Sequence, residues 1–351
     1  MTMVLRMMRR SVISGLVAAG LAMMPAVAGA ATELTVIVYG GSFEAGWRKA
    51  VIEPFEAANP DIKVRIATGL TMETVAMMRA QKADAKIDVV MMDEVGAAQA
   101  HGEGLYEPLD VKGIPNMAKL YPQFRISGDP YTKFMYVSQV IAYDKGKVKT
   151  APESYDDMWK PEYKGKIAIP DINTTHGTMF LMMAARMQGG SVANIDPGFA
   201  KIKTLKPSIL TFWNQHAQVS QLFTQGDIVM TTWTSDRAQG LIDSGGNIGW
   251  TIPKESAYII DSTIGIAKGT KNLAAARKYI DFVLSEKAQE ANAKFTYLTP
   301  VNREAKLDAA VAAKLPAGDA TLKRLLAADW AAVTKERPKW VDRWNREITT
   351  P

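Results

Sequence analysis

Leu34-Thr35-Val36-Ile37-Val38-Tyr39 is a β-rich run that stops at Gly40-Gly41-Ser42. From Phe43 to Asn59 the apolar spacing changes, and Trp47, Val51, Phe55 and Ala58 fall on a helical face. Asn59-Pro60-Asp61 ends that helix, and Ile62-Lys63-Val64-Arg65-Ile66 alternates as a strand. A helix over about 72–83, a strand over 87–92 and a helix over 95–104 follow. Strand and helix in regular alternation predict an α/β sheet with helices on its faces.

The pattern loosens over 110–131, which is rich in Pro, Gly and polar residues, and then gives a long β-like run over 133–143. A second α/β series begins at 166–171. Its predicted helices cover 177–188, 196–205, 218–225 and 235–244; its strands cover 211–213, 228–233, 248–252 and 258–266. One long amphipathic helix over 273–294, a turn over 299–302 and two Ala/Leu/Lys helices carrying Trp330, Trp340 and Trp344 complete the reading. There is no internal repeat and no low-complexity tract.

Upstream of Leu34 lies a basic start (Arg6, Arg9, Arg10), an uncharged apolar run over 11–24, Pro25, and small residues Ala28-Gly29-Ala30. These features predict a cleavable secretory signal over 1–30. The run falls short of the roughly 20 apolar residues of a membrane span. Of the net charge of +6, those three arginines carry three, leaving +3 spread along the rest with no basic block for nucleic acid. The chain has no cysteine, which excludes a disulfide framework, a cysteine nucleophile, a cysteine-ligated metal centre and a lipid-bearing cysteine. An exported, cysteine-free chain of two-domain length suggests the bacterial periplasm.

Several segments, in order, resemble one family. They are Phe55-Glu56-Ala57-Ala58-Asn59-Pro60 before Ile62-Lys63-Val64, Ile87-Asp88-Val89-Val90-Met91-Met92, Gly104-Leu105-Tyr106-Glu107-Pro108-Leu109-Asp110, Tyr155-Asp156-Asp157-Met158-Trp159, Tyr163-Lys164-Gly165-Lys166-Ile167-Ala168-Ile169, the stretch 260–272 and Thr299-Pro300-Val301-Asn302. The set is similar to extracellular solute-binding proteins of ABC importers, and closest to the spermidine/putrescine-binding branch with its iron- and phosphonate-binding relatives. The resemblance implies a two-lobed periplasmic binding protein fold, with a hinge of crossing strands and a ligand cleft between the lobes. It places residues 31–139 with 264–302 in the first lobe and 140–263 in the second, the run 133–143 and the strand 259–267 crossing between them. Helices over 303–351 pack back on the lobes. It also implies an inner-membrane ABC permease as partner, a small-molecule solute and no cofactor; a monomer is expected.

Candidate contacts lie just after strand ends, where ligands of open α/β sheets sit. Tyr39 and Ser42 flank glycines that let the backbone approach a ligand, though Ser42 can equally cap a helix. Asp93 and Glu94 follow an apolar strand and could meet an amine, or could serve the helix dipole. Asp171, Thr174 and Thr175 open a helix. That helix start suits an anion, whereas the resemblance gives Asp171 a cation to grip, and capping by either threonine is the third reading. Trp233 and Asp236 follow the strand over 228–232; the resemblance makes Trp233 a cleft aromatic, and the alternative is a core tryptophan. Asp261 matches the family's cleft carboxylate, with Tyr258 nearby, although Ile259 stands where the polyamine binders carry an aromatic residue.

No metal centre is predicted: the three histidines are dispersed, and the adjacent tyrosine pair expected of a ferric-binding relative is missing. The paired methionines read as packing. No Gly-x-Ser-x-Gly, no His-Glu-x-x-His and no nucleophile–base pair supports an enzyme, and Asp156-Asp157 reads as a cap. The expected function is therefore capture of a small polar solute, an amine before a phosphonate, phosphate ester or carboxylate.

Overall fold

The computed structural model describes residues 31–126, 128 and 130–349; the predicted signal, 1–30, lies outside the described residues. β1 (Thr32–Val38) leads through Gly41 into α1 (Ser42–Trp47), which continues through a π turn into α2 (Glu53–Ala58). β2 (Ile62–Thr68), α3 (Thr71–Ala80), β3 (Val89–Asp93), α4 (Glu94–Gly102) and β4 (Tyr106–Glu107) follow. Val36, Ile37 and Val38 are wholly buried because β1 runs parallel between β2 and β3, with helices on both faces.

β5 (Thr132–Asp144) is the long central strand. The second series is β6 (Ile167–Pro170), α5 (Thr175–Met187), α6 (Asp196–Leu205), β7 (Ile209–Trp213), α7 (His216–Gln225), β8 (Met230–Thr234), α8 (Ser235–Asp243) and β9 (Ile248–Thr251). β10 (Ile259–Ala267), α9 (Leu273–Val283), α10 (Glu286–Thr296), β11 (Thr299–Pro300), α11 (Ala309–Ala312), α12 (Asp319–Arg324) and α13 (Trp330–Trp344) close the chain. The main strand order is β2-β1-β3-β10-β5-β8-β6-β7.

β5 belongs to two sheets. Its first half pairs antiparallel with β10, from Thr132 opposite Ile264 to Ser138 opposite Ile259. Its second half pairs with β8, starting at Gln139 opposite Thr234, and with β9 on its other edge. β10 in turn pairs antiparallel with β3, setting Ser262 opposite Asp93. The last residues of β3 and β8 therefore lie close to the crossing.

Three predicted elements come out differently. The helix over 273–294 is two helices, because buried Leu284 ends α9 and the Ser285 hydroxyl accepts from the Ala288 N–H to start α10. The predicted turn over 299–302 begins with β11, which pairs with Met135 and Tyr136 of β5. Among the described residues after Asn302 there are three helices, not two, separated at Gly318 (φ 90°) and recapped by Asp308 and Asp329. α13 packs on α4. From it Arg337 donates to the carbonyls of Ile172 (3.2 Å) and Asn173 (2.8 Å) and to Thr178 Oγ1 (3.1 Å). Among the described residues no helix is long and apolar enough to cross a membrane.

Candidate functional site

At the crossing a hydrogen-bonded group joins the two sheets. Tyr39, just past β1, donates its hydroxyl to Asp93 Oδ1 (2.9 Å) and lies 3.3 Å from Ser262 Oγ. Thr175, the first residue of α5, donates to the other carboxylate oxygen, Asp93 Oδ2, at 3.0 Å. Asp93 thus accepts from residues following a first-sheet and a second-sheet strand at once. Burial holds its carboxyl above the usual range, these donors pull it back, and the nearby Asp236 carboxylate pushes it up again. The Tyr39 phenol is held well above its ordinary value by burial and by Asp93. Of Ser42 only the backbone, at the start of α1, is described.

Glu94 and Asp261 lie together, but their partner is internal. The Lys133 ammonium of β5 sits 2.9 Å from Glu94 Oε2 and 2.7 Å from Asp261 Oδ2, with the lysine side chain 9% exposed. These two carboxylates do not stand open to a solute amine, as their sequence position suggested; they hold a cation supplied by the chain. Burial raises the Asp261 carboxyl, against Lys133. Burial pulls the Lys133 ammonium down, and the two carboxylates outweigh it, so its proton is held more tightly than usual. Asp261 and Ser262 are consecutive on β10, so their side chains take opposite faces of the sheet.

At the start of α5 the capping reading prevails for Thr174, whose hydroxyl accepts from the Gly177 N–H at 3.0 Å. Asp171 is half-buried, and its Oδ1 accepts from the Asn173 backbone (2.9 Å) and side chain (2.8 Å) in an Asx turn. Trp233 is likewise corrected. It is 1% exposed, packs with Phe223, and donates its indole N–H to His216 Nδ1 at 2.9 Å. Strand alternation is the reason: Trp233 shares a face with Thr231, which accepts from the Trp213 indole, in a core of the second sheet. Tyr258 is buried in the main core, and its carbonyl accepts from the Gln139 N–H at 3.0 Å. Asp236, in the first turn of α8, meets Arg237 at 3.4 Å through Oδ2, while its buried Oδ1 has no partner within the protein.

The family model for bacterial extracellular solute-binding proteins matches residues 50–317. The chain belongs to this family. It is similar to the gamma-aminobutyric acid-binding protein of Pseudomonas aeruginosa, with 27% identity over 88% of this chain and 89% of that one. It is also similar to the spermidine/putrescine-binding periplasmic protein of Escherichia coli, with 24% identity over 68% and 70%. A crystal structure of an ABC transporter protein from Clostridium perfringens superposes with a TM-score of 0.76 at 27% identity, over 90% of this chain and all of the other. The fold is that of the two-lobed periplasmic solute-binding proteins, and the chain is a solute-binding component of an ABC transporter.

Three residues of this solute-binding protein escaped the sequence reading: Lys133, Ser262 and Arg337. A lysine inside the β-rich run Lys133-Phe134-Met135-Tyr136 was a usable signal, since a charge entering a strand with neighbours on both edges needs an opposite charge. Arg337 carried no such signal, because a basic residue in a basic helical tail looks solvated.

Proposed function

We propose that the chain is a receptor for a small organic amine, cationic or zwitterionic, which it captures by closing two lobes and delivers to an inner-membrane permease. The lobes are 31–139 with 264–302, and 140–263, with 303–351 lying across them. Export by a cleaved signal over 1–30, without a lipid anchor, puts a diffusing monomer in the periplasm. It binds without turnover.

The observation that carries this reading is the Asp93 carboxylate, held by Tyr39 from one sheet and Thr175 from the other, with Asp236 close by. An ammonium inserted there would be touched from both lobes, and contact with both is what shifts the population toward closure. The Asp93 carboxylate disfavours an anion at this point, Asp236 being met by Arg237, and the Gly177 N–H that an anion would use already serves Thr174. Gamma-aminobutyric acid, spermidine and putrescine, bound by relatives, all carry an amino group that is protonated at neutral pH.

A thermal-shift screen of ω-amino acids, polyamines, amino acids and phosphonates tests the proposal, because a ligand of the native state raises Tm. Amines should raise it, and Asp93→Asn should sharply reduce the rise. A response to anions alone would overturn the amine reading.

A further inference from the structure

We propose that Glu94 and Asp261 form an ammonium site that this chain fills with its own Lys133. The site is built from three separated elements: Lys133 from β5, Glu94 from the first turn of α4 and Asp261 from β10. The contacts, 2.9 and 2.7 Å, are those of a charge-assisted hydrogen-bonded ammonium. Two carboxylates face one cation, and Asp261, 5% exposed, still has its buried Oδ1 without a partner in the protein. The pair therefore has acceptor capacity beyond what the lysine uses. The lysine stem, an alkyl chain ending in an ammonium, has the chemistry of a primary alkylamine tethered to the backbone.

The consequence is a specificity rule, which rests on the amine reading above. Asp93 with Ser262 lies on one face of β10, and Asp261 with Lys133 on the other. A solute ammonium can be received at the first, while the second is refused to it by a resident cation. Each site then takes one ammonium on its own face of the sheet, and removing Lys133 opens the second to a primary ammonium.

The test uses the full chain carrying Lys133→Ala, with n-butylammonium as the probe and tetramethylammonium at equal ionic strength as control. Butylammonium should raise the Tm of the variant by several degrees more than it raises that of the wild type, and tetramethylammonium, which has no N–H donor, should not substitute. 1,4-Diaminobutane should gain affinity in the variant at least tenfold relative to wild type. If the variant does not fold alone, butylammonium present during refolding should restore it. Equal responses of variant and wild type, or no rescue by any primary ammonium, would overturn the proposal. In the wild type, Lys133 should be acetylated at least tenfold more slowly than exposed Lys49, and Asp261→Asn should speed it; equal rates would count against the seated ammonium. Butylammonium rescue does not depend on the solute: rescue alongside a failed wild-type amine screen would sink the amine reading and leave this site standing.

Discussion

Asp93 and two buried histidines show how single side chains set the behaviour of this protein. Asp93→Asn removes the charge and replaces one of the two acceptor oxygens that Tyr39 and Thr175 use by a donor, and the expected loss of amine affinity is roughly 30-fold, about 2 kcal/mol for a charged hydrogen bond; titration calorimetry reads it directly. His176 and His216 lie 5.0 Å apart. Burial, with the Arg237 charge nearby, depresses His176 to about 4, and burial holds His216 well below its usual value. His216 must stay neutral at Nδ1 to accept the Trp233 indole. Both folded values lie below the unfolded one, so the unfolded chain binds more protons at acid pH. The stabilisation from His176, roughly 3 kcal/mol, is complete above about pH 6.5 and is lost as pH falls toward 4, and His216 acts in the same direction. Urea melts across that window should lose stability on acidification, and His176→Gln should flatten the slope by about one proton; an unchanged slope would refute the assignment. None of this was legible in the sequence, where three scattered histidines carried no sign of the contact.

At the scale of elements, two starts of helices carry much of the local design. α5 leaves the loop after β6 so tightly that a Cβ on Gly177 would run into the Asp171 carbonyl. Gly177→Ala should therefore cost about 3 kcal/mol, an overpacking penalty that denaturant melts will show, and should displace Thr175 from Asp93. Ser285 separates α9 from α10 by capping the second helix; Ser285→Ala should lower stability by about 1 kcal/mol without changing the fold. Element type was readable because apolar spacing follows local geometry, as in Asp196–Leu205, where the predicted and observed helix coincide. The break at Leu284 was not, because the amphipathic spacing runs on through it and masks the one local signal, the Ser285 cap that acts with burial of Leu284.

For the whole molecule, the relation between the two sheets matters most. β5 is common to both, Asp93–Thr175 bonds one side of the crossing to the other, and α13 packs on α4 while Arg337 grips the loop ahead of α5. Thr175→Val should weaken solute binding by favouring an open arrangement, visible as a larger radius of gyration in solution scattering. Arg337→Ala should lower hydrogen-exchange protection in α13 and in the loop over 171–178 together; loss in α13 alone would show that the contact does not couple them. Most of the order of strands and helices, the α/β class, the family and the strand-end position of Asp93 were determined by the sequence alone, because periodicity and turn chemistry are local. Tertiary structure alone decided which carboxylates are engaged, and by what. Lys133 and Asp261 are 128 positions apart, and Thr175 and Asp93 are 82 apart. A buried charge selects its partner by proximity in space, which sequence spacing does not encode. That is why Asp261 is paired with a lysine of its own chain, and Trp233 with a core histidine.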